Sequence, residues 1–183
     1  YNGKIPRNPF AMYHVDPDHK EREFLTLDEL TVMTEIKLED PNMAFARDLF
    51  IFGCWTGISF IDIKNLTEDN ISMINGAPWI VSKRQKTGVP FQIKLMDIPM
   101  QIIGRYKAFR KGSHLFNIGN LDSINKRIKK VAAMCGIKKR VSFHVSRHSW
   151  AVLALEYGMP IESVSKILGH TNITTTQIYA KVT

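Results

Sequence analysis

The sequence predicts a mostly helical α+β domain with a small, three-stranded antiparallel sheet. Apolar residues follow a helical period through most of the chain, except between Asn70 and Leu95. There, short runs rich in β-branched and aromatic residues alternate with turn-forming residues, which is typical of antiparallel strands. The chain has 183 residues, 44% of them apolar, so it can bury one sizeable core.

Residues 1–22 are expected to form a linker or arm. They are rich in Pro, Asn, His and charge and show no apolar period. The domain is therefore predicted to cover residues 23–183. Because the chain begins at Tyr1 rather than Met and continues only four residues beyond Tyr179, we expect it to be a segment of a longer protein.

Three helices are expected before the sheet. Thr26 and Glu29 have the spacing of a capping box, in which each side chain accepts a hydrogen bond from the other residue's backbone N–H. Pro41 ends the first helix, Asn42 is suited to cap the second, and Gly57 to end it. The predicted helices cover about residues 27–38, 42–55 and 60–66.

The sheet and the remaining helices follow in order. The predicted strands are 71–74, 79–82 and 91–93, separated by turn residues at 75–78 and 87–88. Helical periodicity then returns. The predicted later helices cover about residues 98–110, 121–134, 144–157, 160–168 and 173–181.

The charge of the chain favours a polyanionic partner. Its formal net charge is +8, and the stretch from Ser123 to Leu155 contains eight Lys or Arg residues and no Asp or Glu. Such a basic block is typical of proteins that bind nucleic acid. A solvated basic helix face is the alternative interpretation.

Other classes of protein are not indicated. There is neither a run of about 18 apolar residues nor a signal-like segment, so neither membrane insertion nor secretion is predicted. Cys54 and Cys135 lie far apart in apolar helical patterns, which favours two core thiols in a reducing cytoplasm over a disulfide or a metal site.

Reactive side chains cluster near the carboxyl end. His144 and Arg147 are three residues apart, and Tyr179 lies nine residues after His170. A phenol has a reference pKa near 10, so it attacks a phosphodiester at neutral pH only if positive charge stabilises its oxyanion or a base removes its proton. Arg147 can supply the charge, and either histidine a proton relay.

An ordered set of motifs resembles the catalytic domain of tyrosine recombinases, also called the phage integrase family. The motifs, in the order of that family, are Phe24–Leu30, Thr56–Ser59, Gln85–Gly88, His144–His148, Leu168–His170 and Tyr179. The resemblance covers nearly the whole chain and implies a bundle of helices with a small side sheet. It also implies that the arm leads from an amino-terminal DNA-binding domain.

The resemblance implies roles for five residues. Tyr179 lies in a polar segment on or beside a predicted short helix, where we expect an exposed phenol. It would attack the scissile phosphate, forming a 3′-phosphotyrosyl bond and freeing a 5′-hydroxyl; its structural alternative is an aromatic residue packed under the last helix. Arg147 would hold non-bridging phosphate oxygens, His144 and His170 would contact the phosphate, and Lys86 would protonate the leaving oxygen. The phosphotyrosyl bond keeps most of the energy of the broken linkage, so no cofactor, ATP or metal is expected. His148, adjacent to Arg147, is expected to point about 100° around the helix from it, and so to be structural or to support a catalytic residue without belonging to the catalytic set.

Each role has a structural alternative. In the alternative interpretation, Arg147 would be a surface ion-pair residue and His144 an ordinary capping or core histidine. His170 would be a turn histidine packed against an aromatic residue. Lys86 is instead a solvated hairpin residue, and Lys83 could replace it only if the hairpin register differs from the prediction.

The sequence departs from the family at Ser59, where most members have an arginine. Loss of one preorganised cation beside an oxyanion costs roughly 10²- to 10³-fold in rate. Arg84 and Arg47 are the two candidates for a substitute, and a third possibility is that neither acts. A branch of the family in conjugative transposons also lacks this arginine, which favours the integrase of a mobile element.

The resemblance also implies partners and alternatives. Double-stranded DNA is the expected partner, bound by a homotetramer on two sites when the protein is full-length, with a monomer as the expectation for this segment alone. The expected location is the bacterial cytoplasm, with nucleoid association and no membrane contact. The competing functions are a catalytically weakened DNA-binding relic and a type IB topoisomerase-like enzyme.

Overall fold

The computed structural model describes residues 22–180, so the predicted arm lies outside the described residues apart from Arg22. Eight helices and three strands are described in this part of the chain. The helices are α1 Leu27–Glu35, α2 Pro41–Thr56, α3 Phe60–Asn65, α4 Asp97–Arg105, α5 Leu121–Met134, α6 Phe143–Glu156, α7 Ile161–Leu168 and α8 Thr174–Ala180. The strands are β1 Ile71–Ile74, β2 Ala77–Lys83 and β3 Pro90–Lys94. The predicted fold class, mostly helical with a small antiparallel sheet, is confirmed.

Helix α1 begins with the predicted capping box. The Glu29 carboxylate accepts a hydrogen bond from the Thr26 N–H at 2.8 Å, and the Thr26 hydroxyl accepts one from the Glu29 N–H. The helix ends three residues earlier than predicted. Its last carbonyls have no helical partner, and Arg47 donates to those of Thr34 and Ile36 at 3.0 Å each.

Helix α2 starts earlier than predicted, with Asp40 rather than Asn42 as its cap. The Asp40 carboxylate accepts a hydrogen bond from the Asn42 N–H at 2.8 Å, and Pro41 occupies the first turn. Proline suits that position because its fixed φ is helical and its missing N–H would have no partner there. Gly57 ends α2 at φ 65°, where an added Cβ would approach the Trp150 ring to 2.6 Å.

The main core surrounds α2, which contacts α1, α4, α5 and α6. Leu49, Phe50 and Phe52 are completely buried. Phe52 meets Phe116 edge to face with ring centroids 5.3 Å apart, an arrangement that aromatic quadrupoles favour. Burial of this helix explains why its sequence is apolar on nearly every face.

A second apolar cluster joins the last three helices. Its buried members are Trp150, Ala151, Val152, Val164, Leu168 and Tyr179. The cluster packs α7 and α8 against α6. Within residues 22–180, no helix is both long enough and apolar enough to span a membrane.

The sheet has the order β1-β2-β3 and is antiparallel throughout. Asn75 and Gly76, with φ of 50° and 74°, form the two-residue turn between β1 and β2, as in a type I′ hairpin. A longer connection follows β2, closed by hydrogen bonds of Arg84 with Val89 and Gly88. This connection holds Arg84 at the end of β2.

The remaining boundaries differ little from the prediction. Helix α5 covers the predicted residues, α6 lies one residue earlier than predicted at both ends, and α7 and α8 each begin one residue later than predicted. Helix α4 ends at Arg105 and a 3₁₀ turn, Lys107–Phe109, follows instead of a continuous helix to residue 110. Gly104 weakens the helix just before this break.

Candidate active site

A cavity of about 510 Å³ opens where α3, the β2–β3 connection, α6, α7 and α8 meet. All five residues of the expected catalytic set line it, together with Ser59, where the family resemblance led us to expect an arginine, and one of the two candidate substitutes. These residues are Lys86, His144, Arg147, His170, Tyr179, Ser59 and Arg84. The fold therefore brings together motifs that are up to 120 residues apart, the separation of Ser59 and Tyr179.

Arg147 lies on α6 in the wall of the cavity. Its guanidinium donates to the carbonyl of Gly57 at 2.8 Å and to the carbonyl of Leu168, the last residue of α7. Burial, and to a smaller degree the charge of Arg84, lowers its pKa to about 10. Arg147 is therefore still positively charged at pH 7.

Arg84 is buried and paired with Asp62. Its Nη1 lies 3.0 Å from Asp62 Oδ2, and the same carboxylate oxygen accepts the Ser59 hydroxyl at 2.7 Å. The Gln85 N–H donates to the other oxygen, Asp62 Oδ1, at 2.8 Å. Burial lowers the pKa of Arg84, and the hydrogen bond and charge of Asp62 oppose that shift. Ser59 and Arg84 thus share the Asp62 carboxylate.

The rest of the Arg84 side chain is tightly enclosed. Its Nη2 donates to the carbonyl of Ile167, and its guanidinium lies 4.0 Å from the centre of the Phe91 ring. Gly169 has φ 66°, and a Cβ there would lie 3.0 Å from Arg84 Cγ. Arg84 Nε, by contrast, is buried and has no hydrogen-bond partner. It is the one buried side-chain nitrogen or oxygen within residues 22–180 in this condition.

Tyr179 is buried, so the expectation of an exposed phenol is wrong. The residue is 3% exposed because α8 packs its ring into the second apolar cluster. The residue still lines the cavity, and its hydroxyl oxygen lies 2.6 Å from His148 Nδ1. Burial raises the pKa of the phenol, while a hydrogen bond and positive charge from Arg22 and the charge of Arg147 oppose the rise.

The two expected phosphate-contacting histidines face the same cavity from different elements. Burial, followed by the charges of Arg147 and Arg22, lowers the pKa of His144 on α6. His170 follows α7, and its Nδ1 lies 2.8 Å from the Thr176 hydroxyl rather than against an aromatic ring. Burial and the same two arginines lower its pKa to about 4. Both imidazoles are thus largely neutral at pH 7.

Lys86 and Arg47 lie in contrasting places. Lys86 is exposed in the turn after β2 and lines the cavity. Arg47 is buried beneath the end of α1, where its Nε lies 2.6 Å from Asp48 Oδ1. It does not line the cavity. The structure therefore separates this second candidate for the missing arginine from the expected catalytic residues.

Three cavity contacts were not anticipated from the sequence, namely those of Asp62, His148 and Arg22. A spacing argument could have suggested two of them. Asp62 lies three residues after Ser59, the spacing of a helix cap and the third residue of its helix. His148 lies four residues after His144, so these two histidines share a helix face. Arg22 carried no sequence signal, because it belongs to the segment interpreted as a linker. Among residues 22–180, no group of three His, Cys, Asp or Glu side chains is arranged to hold a metal ion.

Comparison with known proteins defines the family. Residues 23–183 match the profile described as the phage integrase family. This chain belongs to the phage integrase family. The tyrosine recombinase XerC of Natranaerobius thermophilus is 27% identical over 180 residues, covering 90% of this chain and 60% of that relative. XerC of Yersinia pestis is 26% identical over 166 residues, covering 85% of this chain and 54% of the relative. The chain thus spans little more than half the length of these family members.

Solved structures share the fold. The XerH site-specific recombinase in a post-cleavage complex with palindromic difH substrate superposes with a TM-score of 0.76 at 19% identity, covering 89% of this chain and 50% of that one. The Tn1549 transposon integrase in complex with circular intermediate DNA gives a TM-score of 0.71 at 18% identity, covering 90% and 62%. At these identities the likeness establishes the fold alone.

Proposed function

We propose that this chain is the catalytic domain of a site-specific DNA recombinase, the integrase of a mobile element, that cleaves and rejoins DNA through a 3′-phosphotyrosyl intermediate. The observation that carries the proposal is the convergence of Tyr179, two arginines and Lys86 on one cavity. A nucleophile, fixed positive charge and a proton donor are the three needs of phosphodiester transesterification.

In the proposed reaction, the Tyr179 oxygen attacks the scissile phosphorus as the phenol proton passes to a cavity histidine, His144 or His170. The bond from phosphorus to the 5′-oxygen breaks, and Lys86 gives that oxygen a proton. A 5′-hydroxyl of the partner strand later attacks the phosphotyrosyl phosphorus and gives its proton to Lys86, and the Tyr179 oxygen leaves and takes back the proton held by the histidine. The number of phosphodiester bonds is unchanged over the cycle, so the proposed reaction uses no nucleotide cofactor and no metal.

Arg147 and Arg84 are the proposed clamp on the non-bridging oxygens. The planar guanidinium suits this role because it stays charged and presents paired donors. Arg84 is preferred to Arg47 because it lines the cavity and its Asp62 partner also binds Ser59, at the vacated position. His144 and His170 complete the proposed contacts with the phosphate.

The proposed partner is double-stranded DNA, and the proposed assembly of the full-length protein is a homotetramer on two DNA sites. Recombination exchanges four strands, which sets the number of active sites. The net charge of +8 supports strong contact with the phosphate backbone, so binding should weaken steeply as salt rises. The proposed location is the bacterial cytoplasm, in association with the nucleoid, because that is where the protein would meet double-stranded DNA.

One observation favours a second function. Ser59 removes a cation from its usual place, as expected if the domain were a DNA-binding relic with weak or no catalysis. A topoisomerase-like enzyme would use the same nucleophile but would need no specific site. The experiment below separates the three functions.

The test uses the full-length protein and a pool of nicked suicide duplexes with varied junction sequences, so that the short strand beside the cleaved bond diffuses away. Denaturing gels then detect covalent protein–DNA adducts. The variants are Tyr179→Phe and, as a matched control, Tyr157→Phe, which alters an exposed tyrosine at the end of α6. We expect an adduct in the wild type and the control, and none in Tyr179→Phe.

The other outcomes are equally specific. An adduct that persists in Tyr179→Phe overturns the assignment of the nucleophile. No adduct with any duplex, while salt-sensitive binding remains, supports the relic. Relaxation of supercoiled plasmids lacking a recombination site supports the topoisomerase-like function.

A further inference from the structure

We infer that His148 is a positioning residue for the nucleophile: it accepts the hydroxyl hydrogen of Tyr179 and so holds the phenol oxygen at the cavity before DNA arrives. The inference rests on the proposed function, in which Tyr179 is the nucleophile. It assigns a specific task to a histidine that lies outside the expected catalytic set.

The geometry is a short contact between two buried side chains. His148 Nδ1 lies 2.6 Å from the Tyr179 hydroxyl oxygen, and the ring centroids are 5.4 Å apart. The residues are 6% and 3% exposed. They come from α6 and α8, two helices that pack directly against each other. The contact therefore ties the short final helix to the helix that carries Arg147.

The direction of this hydrogen bond follows from charge. Burial is the main cause that lowers the pKa of His148 to about 3, and repulsion from Arg22, from Arg147 and from a protonated His144 or His170 adds to it. The imidazole is thus neutral at pH 7, and its Nδ1 can accept. A phenol has a single hydrogen, so donating it to His148 leaves the oxygen lone pairs available to an electrophile.

The His148 ring is itself held in place. His144, one turn earlier on α6, meets it edge to face with ring centroids 4.3 Å apart. His144 lines the cavity, so it separates His148 from the position proposed for the phosphate. A fixed acceptor reduces the freedom that the nucleophile must lose on reaching its attacking geometry, and such preorganisation contributes to rate.

A buried tyrosine in any protein tends to find a hydrogen-bond partner. What distinguishes this pair is the other surroundings of the phenol. Tyr179 also lines the cavity with Arg147, and Arg22 forms a hydrogen bond that lowers the pKa of its phenol. A purely structural pair would affect stability, whereas a positioning pair affects the rate of the chemical step.

The experiment compares His148→Asn, His148→Gln and His148→Leu in the full-length protein. The amide of asparagine reaches approximately the position of Nδ1, whereas that of glutamine reaches approximately the position of Nε2. Only His148→Asn therefore keeps an acceptor facing Tyr179. A 3-fluorotyrosine introduced at position 179 reports the phenol environment by ¹⁹F NMR without requiring activity, and single-turnover cleavage at saturating DNA reports the chemical step.

We expect His148→Leu and His148→Gln to shift the ¹⁹F resonance and slow cleavage by about 10- to 100-fold at unchanged DNA affinity. His148→Asn should stay near the wild type in both readouts. His114→Asn, at an exposed histidine outside the cavity lining, is the matched control and should change neither. If His148→Leu does not fold, the comparison of Asn with Gln decides.

Equal cleavage rates in His148→Asn and His148→Gln overturn the inference. An unchanged ¹⁹F resonance in His148→Gln also overturns it. Failure of the proposed function is a separate result. If Tyr179→Phe still forms an adduct, the nucleophile is wrong even where the ¹⁹F data show the hydrogen bond.

Discussion

Two buried arginine–aspartate pairs of this domain perform different tasks. In the first pair, Arg47 Nε lies 2.6 Å from Asp48 Oδ1, and Arg47 Nη1 donates hydrogen bonds to backbone carbonyls at the end of α1. Asp48 Oδ2 also accepts from Arg105 Nη1 at 2.5 Å and the Tyr106 hydroxyl at 2.7 Å. Both charges have several partners from the protein itself, as a buried pair needs if it is to support a fold.

The second pair, Arg84 and Asp62, is incomplete. Asp62 is shared with Ser59 and the Gln85 N–H, while Arg84 Nε is buried without a partner at the wall of the cavity. An unmade hydrogen bond of this kind is costly in a folded protein. The two pairs differ in place and in completeness: Arg47 has its partners beneath the end of α1, whereas Arg84 lines the cavity and is the arginine that we propose acts on the phosphate.

The largest effect is expected at the incomplete pair. Arg84→Ala should reduce suicide-duplex cleavage by about 10²- to 10³-fold, because one cation beside the developing oxyanion is lost. DNA affinity should change little, as measured by filter binding at the same salt. Lys83→Ala, which removes the neighbouring exposed cation, is the matched control and should leave the rate near the wild type. Equal losses of binding and cleavage in Arg84→Ala would make it a backbone contact only.

The complete pair should respond in stability instead. Arg47→Ala leaves Asp48 with two partners but exposes the carbonyls at the end of α1, so we expect a loss of about 3 kcal/mol in the free energy of unfolding. Urea unfolding measures this loss. Cleavage per folded molecule should be unchanged at a temperature where the variant remains folded. A rate loss similar to that of Arg84→Ala would place Arg47 in the reaction.

A smaller effect is expected where the backbone approaches the incomplete pair. Gly169→Ala forces an alanine to adopt φ 66° and places a Cβ 3.0 Å from Arg84 Cγ. Displacement of the guanidinium should slow cleavage by about tenfold, a difference of about 1.4 kcal/mol in activation free energy. Gly112→Ala, at φ 66° with open space around it, is the matched control for backbone strain alone. Identical cleavage rates in the two variants would exclude steric pressure on Arg84.

The smallest expected effect is the pH dependence of folding stability that comes from His148. His148 has a folded pKa of about 3 against an ordinary value of 6.5, so below pH 6.5 the unfolded chain binds a proton that the folded chain excludes. Stability should therefore fall as pH drops from 6.5 toward 3. On going from pH 7 to pH 5, the free energy of unfolding, measured with urea, should fall by about 1 kcal/mol less in His148→Asn than in the wild type. This value is reduced for solvent screening. Equal losses would mean that His148 does not contribute to this dependence.

Local patterns predicted much of the fold and most of the cavity. The three-residue spacing of His144 and Arg147 places both on one helix face, and α5 and β1 have their predicted bounds. These features depend on the periods of helices and strands, which a short stretch of sequence already contains. The start of α2 was missed by one residue because Asp40 and Asn42 are both good caps, and only the position of Pro41 between them favours the first.

The sequence by itself determined the family motifs, the secondary structure and the identity of the reactive side chains. Only the tertiary structure decided which of them meet. Arg84 finds Asp62, 22 residues away, and the carbonyl of Ile167, 83 residues away, whereas Arg47 is bound by the end of α1. Likewise, α8 turns Tyr179 inward onto His148 across 31 residues of sequence. Such long-range contacts depend on how helices pack, because burial selects one arrangement of donors and acceptors among many that the local pattern permits.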